Sequence, residues 1–187
     1  NPGTIYGVGQ YTNNTVVTSV KSVTNSFYGW AYLKENSTVL TAESLGRDNG
    51  NSDKTIDIGY TKGYSNKYAL ALLGSNKKDL RTWGHNKYGG RYDSDITNFS
   101  FTEKIKHIYA TGTAFAALDV SNNAYCWGIG KLPYGTGKNY GGNNNSGNTH
   151  VTSTDNDVHK LINIKKIYSN YFTFAAIDTS DNIVTWG

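Results

Sequence analysis

Two segments of the chain repeat each other without a gap, and this repeat constrains the fold more than any other feature. Residues 105–119 align with residues 164–178 at an offset of 59, and the offset holds as far as the Trp-Gly pair that ends each copy. Phe115 begins the run Phe-Ala-Ala-Leu-Asp in one copy, and Phe174 begins Phe-Ala-Ala-Ile-Asp in the other. Such self-similarity indicates a fold made of repeated supersecondary units.

Two weaker copies precede this pair. Residues 20–41 align with the copy that begins at Ile105, at an offset of 85, but Ala42 stands where the Trp is expected. Residues 68–84 form the other copy, which the alignment predicts to be lengthened by about two residues at 74–78. The chain therefore contains four copies, of which the last two are the most regular.

A fifth fragment opens the chain, because residues 4–11 resemble the segment that begins at Thr82, with Tyr6 in place of Trp. The repeats then end near residues 6, 42, 83, 127 and 186. The segment after each Trp-Gly varies in length, and the longest forms an inter-repeat loop at 129–160. We interpret residues 1–187 as a single repeat domain with a leading strand.

Each copy predicts three short β-strands, represented by residues 105–109, 114–118 and 124–127. The middle strand is apolar throughout, which is typical of a strand covered on both faces. The polar residues at 121–123 suit a tight hairpin, because Asn tolerates the left-handed conformation. We expect almost no helix. We also expect a fourth strand in the variable segments, as at 14–17 or 149–152.

Four short strands per repeat, marked by an aromatic residue and Gly, are the pattern of β-propeller blades. The predicted fold class is all-β, with about four propeller-type blades of three to four antiparallel strands. With the leading strand, the chain has one strand more than a closed ring of four blades requires. We therefore favour an arc or a fragment of a larger propeller. Aromatic rings would fill the gaps between blades, and Gly would allow sharp turns. The predicted signature residues are Trp83, Gly84, Phe115, Trp127, Gly128, Phe174, Trp186 and Gly187.

The run Ile-Tyr-x5-Phe-Ala-Ala-(Leu/Ile)-Asp, ending in Trp-Gly and followed in one copy by His85–Gly90, resembles the RCC1-type (regulator of chromosome condensation 1) repeat. It is most similar to the bacterial variant of that repeat. The resemblance covers nearly the whole chain, although Ala42 departs from it. It implies a β-propeller that acts as an interaction platform in a bacterial secreted or surface protein. The features used by the nucleotide-exchange factor of the family have no counterpart here, so that activity is not inferred.

Charge and composition exclude several classes of partner. The net charge of +4 arises from 18 basic and 14 acidic residues, and the basic residues form only short patches such as 104–107. We therefore predict no nucleic-acid partner. The longest aliphatic run, 69–73, is far shorter than the roughly 20 residues that span a bilayer, so we predict no membrane insertion. The chain begins Asn-Pro-Gly rather than with Met, which we interpret as a segment of a longer protein that contains further repeats.

No catalytic constellation is visible in the sequence. The histidines at 85, 107, 150 and 159 lack the spacing of a metal pair, and the carboxylates are scattered. Cys126 lies in a predicted buried strand, where a thiol is usually inert. We predict a protein that is not an enzyme and uses no metal or cofactor.

The loop at 129–160 has two open interpretations. Long loops in compact domains are often functional, and Tyr with Asn and Gly suits an adaptable binding surface. The alternative is a tolerated surface insertion. If the loop binds a ligand, the candidate residues are Lys131, Tyr134, Lys138, Tyr140, Asn144 and His150.

Together these features predict a non-catalytic RCC1-like β-propeller module of a bacterial secreted or cell-surface protein. It would bind a protein or a glycan through its inter-blade loops, outside the cell or at its surface. Two alternatives remain open, namely purely structural spacer repeats in a large adhesin and a proteinaceous enzyme inhibitor.

Overall fold

The computed structural model describes residues 3–6, 16–27, 29–35, 39–42, 55–56, 59–84, 88–89, 99–128 and 159–186. Within these residues the chain forms sixteen β-strands in four antiparallel sheets and no α-helix. Accordingly, this part of the chain has no helix of the length and apolarity that crossing a bilayer requires.

The four sheets follow one another along the chain, and we name them blades 1 to 4. Blade 1 consists of β1 (Gly3–Tyr6), β2 (Val16–Asn25), β3 (Trp30–Lys34), β4 (Val39–Ala42) and β5 (Thr55–Ile56). Blade 2 consists of β6 (Tyr60–Ser65), β7 (Ala69–Gly74), β8 (Asp79–Gly84) and β9 (Phe99–Ser100). Blade 3 consists of β10 (Ile105–Ala110), β11 (Ala114–Asp119), β12 (Ala124–Gly128) and β13 (His159–Leu161). Blade 4 consists of β14 (Ile164–Ser169), β15 (Phe174–Asp178) and β16 (Ile183–Trp186).

Every blade is an antiparallel meander, because its strands pair in chain order. The strands β2, β6, β10 and β14 of successive blades contact one another, so they lie nearest to the common axis. The predicted all-β fold of propeller-type blades is confirmed. The leading strand predicted at residues 4–6 is present as β1, at the edge of blade 1.

The four blades share a shift in strand register that the sequence analysis did not predict. In each blade the pairing of the axial strand with the next strand shifts register directly after the first paired residue. The shifts lie between Val20 and Ser22, Tyr60 and Lys62, Ile105 and His107, and Ile164 and Lys166. Blades 1 and 2, whose sequences match the repeat less closely, therefore share this register shift with blades 3 and 4.

Neighbouring blades meet through two different faces. Blade 3 presents to blade 4 a face of small and aliphatic residues, which we call the small face: Ala114, Ala116, Leu118, Ala124 and Cys126. Blade 4 presents to blade 3 a face of larger residues, which we call the large face: Ile164, Ile167, Phe174, Ala176 and Trp186. The same division is seen between blades 2 and 3 and between blades 1 and 2. Because successive residues of a strand point to opposite faces, β11 contributes to both interfaces and is buried throughout, as predicted.

The signature aromatic residues form stacked cross-strand pairs on the large faces. Phe115 is paired with Trp127 and stacks on it at a centroid distance of 5.2 Å, and Phe174 stacks on Trp186 at 5.3 Å. Both Phe rings are fully buried. Each pair thus supplies much of the apolar area that one blade buries against the preceding blade.

The axial strand of blade 2 departs from the repeat at one position. Its axial strand β6 has Gly63 where the equivalent strands have Ile108 and Ile167. A Cβ atom at Gly63 would lie 2.9 Å from the Cβ atom of Thr24 in blade 1. The close approach of the two axial strands therefore explains why this position carries no side chain.

Three boundaries differ from the sequence-based prediction. Leu70 pairs with Trp83 in blade 2, and the equivalent Phe115 pairs with Trp127 in blade 3. The hairpin of blade 2 is therefore one residue longer than that of blade 3, whereas the alignment predicted about two. Residues 159 and 160, predicted to end the long loop, begin β13 and pair with β12. The fourth strands found are β5, β9 and β13, whereas Val16 and Val17 pair with β1 but are continuous with β2. The alternative position at 149–152 lies outside the described residues.

Candidate functional site

Four equivalent turns meet at one end of the propeller axis. Each joins the axial strand of a blade to its second strand, and they span residues 26–29, 66–69, 111–114 and 170–173. They surround a depression with a volume of about 640 Å³. Its wall consists of the last residue of each axial strand and the first two residues of each turn. The depression is therefore built from the same positions of all four blades.

A chain of backbone hydrogen bonds ties these turns together. The amide of Phe27 donates to the carbonyl of Lys67 (3.1 Å), and the amide of Lys67 donates to the carbonyl of Gly112 (3.1 Å). The amide of Gly112 in turn donates to the carbonyl of Tyr171 (2.7 Å). One bond per step from blade to blade fixes the relative positions of the turns, so the depression is preformed rather than dependent on a ligand.

The polar side chains at the first turn positions cap their own turns. The Oδ1 atom of Asn66 accepts hydrogen bonds from the amides of Tyr68 (2.8 Å) and Ala69 (2.7 Å). Thr111 and Asn170 accept equivalent bonds in blades 3 and 4. These groups satisfy backbone donors, so their first contribution is to the shape of the turn.

Aromatic residues project around the depression. Phe27 is 71% exposed, Tyr171 54% and Phe172 55%. The ammonium group of Lys67 lies 5.1 Å from the ring centre of Phe27 and 5.2 Å from that of Tyr68. We call Phe27, Lys67, Tyr171 and Phe172 the aromatic rim. Exposed ring faces beside a cation can contact the apolar face of a sugar, or apolar and acidic side chains of a protein.

Further along the axis, tyrosines alternate with basic residues. The ring of Tyr64 lies 5.3 Å from that of His107, which in turn lies 4.7 Å from Tyr109. Lys62 lies over Tyr64 at 5.1 Å. Burial lowers the pKa of His107 below its usual 6.5, and the positive charge of Lys62 lowers that pKa further. His107 is therefore neutral at pH 7 and interacts with its neighbours as an aromatic ring.

Two buried polar side chains of blade 3, Asp119 and Cys126, have structural roles. The carboxylate of Asp119 accepts bonds from the amides of Ser121 (2.9 Å) and Asn123 (2.7 Å) and from the hydroxyl of Tyr125 (3.2 Å). It thereby closes the hairpin between β11 and β12. Burial raises the pKa of Cys126 to about 12, so its thiol stays protonated and unreactive at neutral pH. In the described ranges, no three His, Cys, Asp or Glu side chains are grouped as metal ligands.

The candidate binding residues from the sequence, Lys131 to His150, lie outside the described residues, as does Gly187. Only the two ends of the long inter-repeat segment are described. Gly128 pairs with Ala114 at the turn end of β11, and His159 pairs with Cys126. The segment therefore ends at the middle of β12, and it begins at the turn end of blade 3. The segment after Trp83 also reaches this end in blade 2, because the Nδ2 atom of Asn66 donates to the carbonyl of Tyr88 (2.6 Å).

The structure also describes the backbone of the signature residues other than Gly187. Phe115, Trp127, Phe174 and Trp186 form the large faces, and Gly84 and Gly128 end their strands with positive φ angles of 103° and 113°. Trp83 pairs with Leu70 in register, although its side chain lies outside the described part. The sequence analysis did not single out the aromatic rim. An alignment of the four turns would have shown it, because Phe27, Lys67, Gly112 and Tyr171 share one repeat position.

Solved structures share this fold. The chain matches human WBSCR16 with a TM-score of 0.56 and 13% identity, over 97% of this chain and 53% of that one. It matches the crystal structure of Kap60 bound to yeast RCC1 (Prp20) with a TM-score of 0.58 and 19% identity, over 90% and 43%. It also matches the ectodomain of the receptor kinase CR4 from Physcomitrella patens, with a TM-score of 0.50 and 13% identity, over 100% and 50%. No family model matches the chain, and a comparison with curated proteins gives no match.

These matches establish the class of protein that the fold defines. The chain is a β-propeller repeat module with an RCC1-like fold. It spans about half the length of the solved structures it matches.

Proposed function

We propose that this RCC1-like module is a non-catalytic binding domain, which recognises a protein or a glycan at the turn end of the propeller. The aromatic rim is the observation that carries the proposal. Its three rings are more than half exposed, although they belong to turns held in place by hydrogen bonds between blades. Rigid, exposed aromatic side chains gain contact area at low entropic cost, which is a property of binding surfaces.

The chemistry of the described residues supports binding rather than catalysis. The side chains of Asn66, Thr111 and Asn170 are engaged in capping their turns. The thiol of Cys126 is fully buried, with its pKa raised by burial to about 12. The capping side chains therefore lack the activation, and the Cys126 thiol lacks the exposure, that a nucleophile or a general base requires.

The long inter-repeat segment is proposed as the second part of the binding surface. It begins directly after Gly128, which pairs with Ala114 at the turn end of blade 3, so Lys131, Tyr134, Lys138, Tyr140, Asn144 and His150 belong to a segment that starts at the same end of the propeller as the aromatic rim. A loop and a rim at the same end of the propeller would contact the same ligand.

The setting we propose is a bacterial secreted or cell-surface protein. The support is the resemblance of the Phe-Ala-Ala-(Leu/Ile)-Asp and Trp-Gly repeats to the bacterial RCC1-type variant, together with a single Cys in 187 residues. In that setting the ligand would be an extracellular protein or a surface glycan.

Binding to a glycan array and to an array of purified extracellular proteins tests the proposal. The triple variant F27A/Y171A/F172A should bind at least tenfold more weakly than the unchanged chain, because each aromatic contact contributes about 0.5–1.5 kcal/mol. The matched control is V120A/I162A, which removes two aliphatic side chains of similar exposure away from the rim. Unchanged circular dichroism would show that all three proteins are folded.

Deletion of residues 131–156, with a short Gly-Ser linker in their place, tests the loop separately. If binding is retained after this deletion but lost in the rim variant, the loop assignment is wrong and the rim assignment stands. If the folded chain binds no member of either array, the spacer alternative replaces the proposed function.

A further inference from the structure

The wall of the depression is rich in neutral polar side chains. At the last residue of the axial strand, blades 1, 2 and 4 carry Asn25, Ser65 and Ser169. Lys67 is the one charged residue among the described residues of the wall. The first residue of each turn is again polar, namely Ser26, Asn66, Thr111 or Asn170. A ligand in the depression would therefore meet mainly hydroxyl and amide groups.

The side chains at the strand-end position are available to such a ligand. Within the described part of the chain, the side chains of Asn25, Ser65 and Ser169 have no hydrogen-bond partner. Asn170 also keeps its Nδ2 donor, because the turn of blade 4 uses only the Oδ1 atom. Hydroxyl and amide side chains both donate and accept hydrogen bonds. The wall therefore matches a ligand whose own polar groups do both.

One ring of the aromatic rim is held in a defined orientation. A Cβ atom at Gly112 would lie 2.8 Å from the Cζ atom of Tyr171 and 3.0 Å from each of its two Cε atoms. These nearly equal distances show that the hydroxyl end of the Tyr171 ring lies flat over Gly112. The ring of Phe172 contacts that of Tyr171 nearly at right angles, at a centroid distance of 4.8 Å. Gly112 thus makes room for a ring that lines the depression and is still more than half exposed.

This combination of groups favours a sugar over a protein as the ligand. A pyranose has an apolar face that stacks on an aromatic ring, and hydroxyl groups that both donate and accept hydrogen bonds. The centre of a protein–protein interface, by contrast, is poor in Ser and enriched in aromatic residues, Met and Arg. Three Ser, three Asn and one Thr line the depression, which fits the sugar better.

The size and the charge of the depression point to the same class of ligand. Its volume of about 640 Å³ lies within the range of about 300–1,000 Å³ that is typical of small-ligand sites. The ammonium group of Lys67 lies over the rings of Phe27 and Tyr68, and the described wall contains no carboxylate. Recognition by this wall therefore requires no charge on the ligand.

We infer that the depression at the turn end binds a short, uncharged oligosaccharide. One pyranose ring stacks on Tyr171, and the side chains of Asn25, Ser65 and Ser169 form hydrogen bonds with hydroxyl groups of the sugar chain. The inference rests on the proposed function and narrows its two classes of ligand to one.

An array of neutral, sialylated, uronic-acid and sulfated oligosaccharides tests the class of ligand. The chain should bind neutral members, and the affinity measured by calorimetry should change less than about twofold between about 0.05 and 0.5 M salt, because no ion pair forms. Binding confined to the acidic members, or an affinity that falls steeply with salt, overturns the inference.

Serine variants test the hydrogen bonds of the wall. Ser65→Ala and Ser169→Ala should each weaken binding of the neutral sugar roughly two- to tenfold, because each removes one hydrogen bond. The matched control is Ser180→Ala, an exposed position in the turn at the other end of blade 4, which should bind like the unchanged chain. Equal binding by all three variants would overturn the inference.

Gly112→Ala tests the stacking position without removing the ring. The backbone of Gly112 lies outside the left-handed region, so the new methyl group conflicts only with the Tyr171 ring, which can swing towards solvent. Sugar binding should fall roughly three- to tenfold while Tm changes little. In a Tyr171→Ala chain the same substitution should have no further effect, because both changes act on one contact. Unchanged binding by Gly112→Ala, or a further loss in the double variant, would show that the ring does not hold the sugar.

The array of purified extracellular proteins separates this inference from the proposed function. If the chain binds a protein but no sugar, and F27A/Y171A/F172A abolishes that binding, the proposed function stands and the inference is wrong. If the folded chain binds neither class, both are wrong.

Discussion

Truncation of Phe174 should cost more stability than most single substitutions in this protein. The Phe174 ring is fully buried between blades 3 and 4 and stacks on Trp186 at 5.3 Å, with an angle of 24° between the ring planes. Phe174→Ala leaves a cavity that closely packed strands cannot collapse to fill. For buried Phe the cost is about 3–5 kcal/mol. A chain of this size gains about 5–15 kcal/mol on folding, so the variant should fold but only marginally.

The matched control is Phe172→Ala, two residues earlier in the same blade. Phe172 is 55% exposed at the aromatic rim, so its truncation should change stability by no more than about 0.5 kcal/mol. Thermal unfolding followed by circular dichroism separates the two variants. A cost of about 4 kcal/mol corresponds to a decrease in Tm of roughly 8–16 °C for a chain of this length. If the two variants melt within about 2 °C of each other, the buried aromatic stack does not hold blade 4 in place.

Three further predictions concern single positions. Gly128→Ala should destabilise the fold by about 2–4 kcal/mol in urea titration, because φ is 113° and the new Cβ would lie 2.7 Å from the Cα of Ala114; a neutral effect would contradict the strand geometry. The nuclear magnetic resonance titration of His107 should have its midpoint below 6.5, and Lys62→Ala should raise it. His107 has a higher pKa in the unfolded chain than in the folded chain. The stability that neutral His107 contributes is therefore complete above pH 6.5 and is lost as the pH falls through the folded pKa. A titration midpoint at or above 6.5 would refute this prediction. Cys126, whose pKa burial raises to about 12, should resist a thiol reagent at pH 8 until urea unfolds the chain, and rapid labelling of the native protein would exclude the buried position.

The regular copies of the repeat made the strands of blades 3 and 4 predictable. Phe-Ala-Ala followed by Trp-Gly fixes a buried strand, a hairpin and a third strand within about 15 residues, so local sequence is sufficient. The same signals located Phe115 and Phe174 as core residues, and both are fully buried. The prediction was accurate where the determining contacts lie within one hairpin.

Elements that depend on a neighbouring blade were not predictable in the same way. In β6, Gly63 departs from the repeat because a side chain there would contact Thr24 of blade 1, about 40 residues away in sequence. The strand β13 was placed in the loop because its three residues carry too little pattern to be recognised. The aromatic rim was overlooked because its members lie in three separate turns, each of which resembles an ordinary polar turn.

The sequence by itself determined the unit of construction, an antiparallel blade with a buried alanine-rich strand and a terminal Trp-Gly. Alternation along a strand is a local property, and each copy of the repeat encodes it independently. The tertiary structure alone decided that the turns of all four blades converge on one depression, and that Phe27, Tyr171 and Phe172 lie exposed around it. These features arise from the packing of one blade on the next. The stabilising free energy comes from the burial of apolar surfaces that are distant in sequence and become neighbours only in the folded protein.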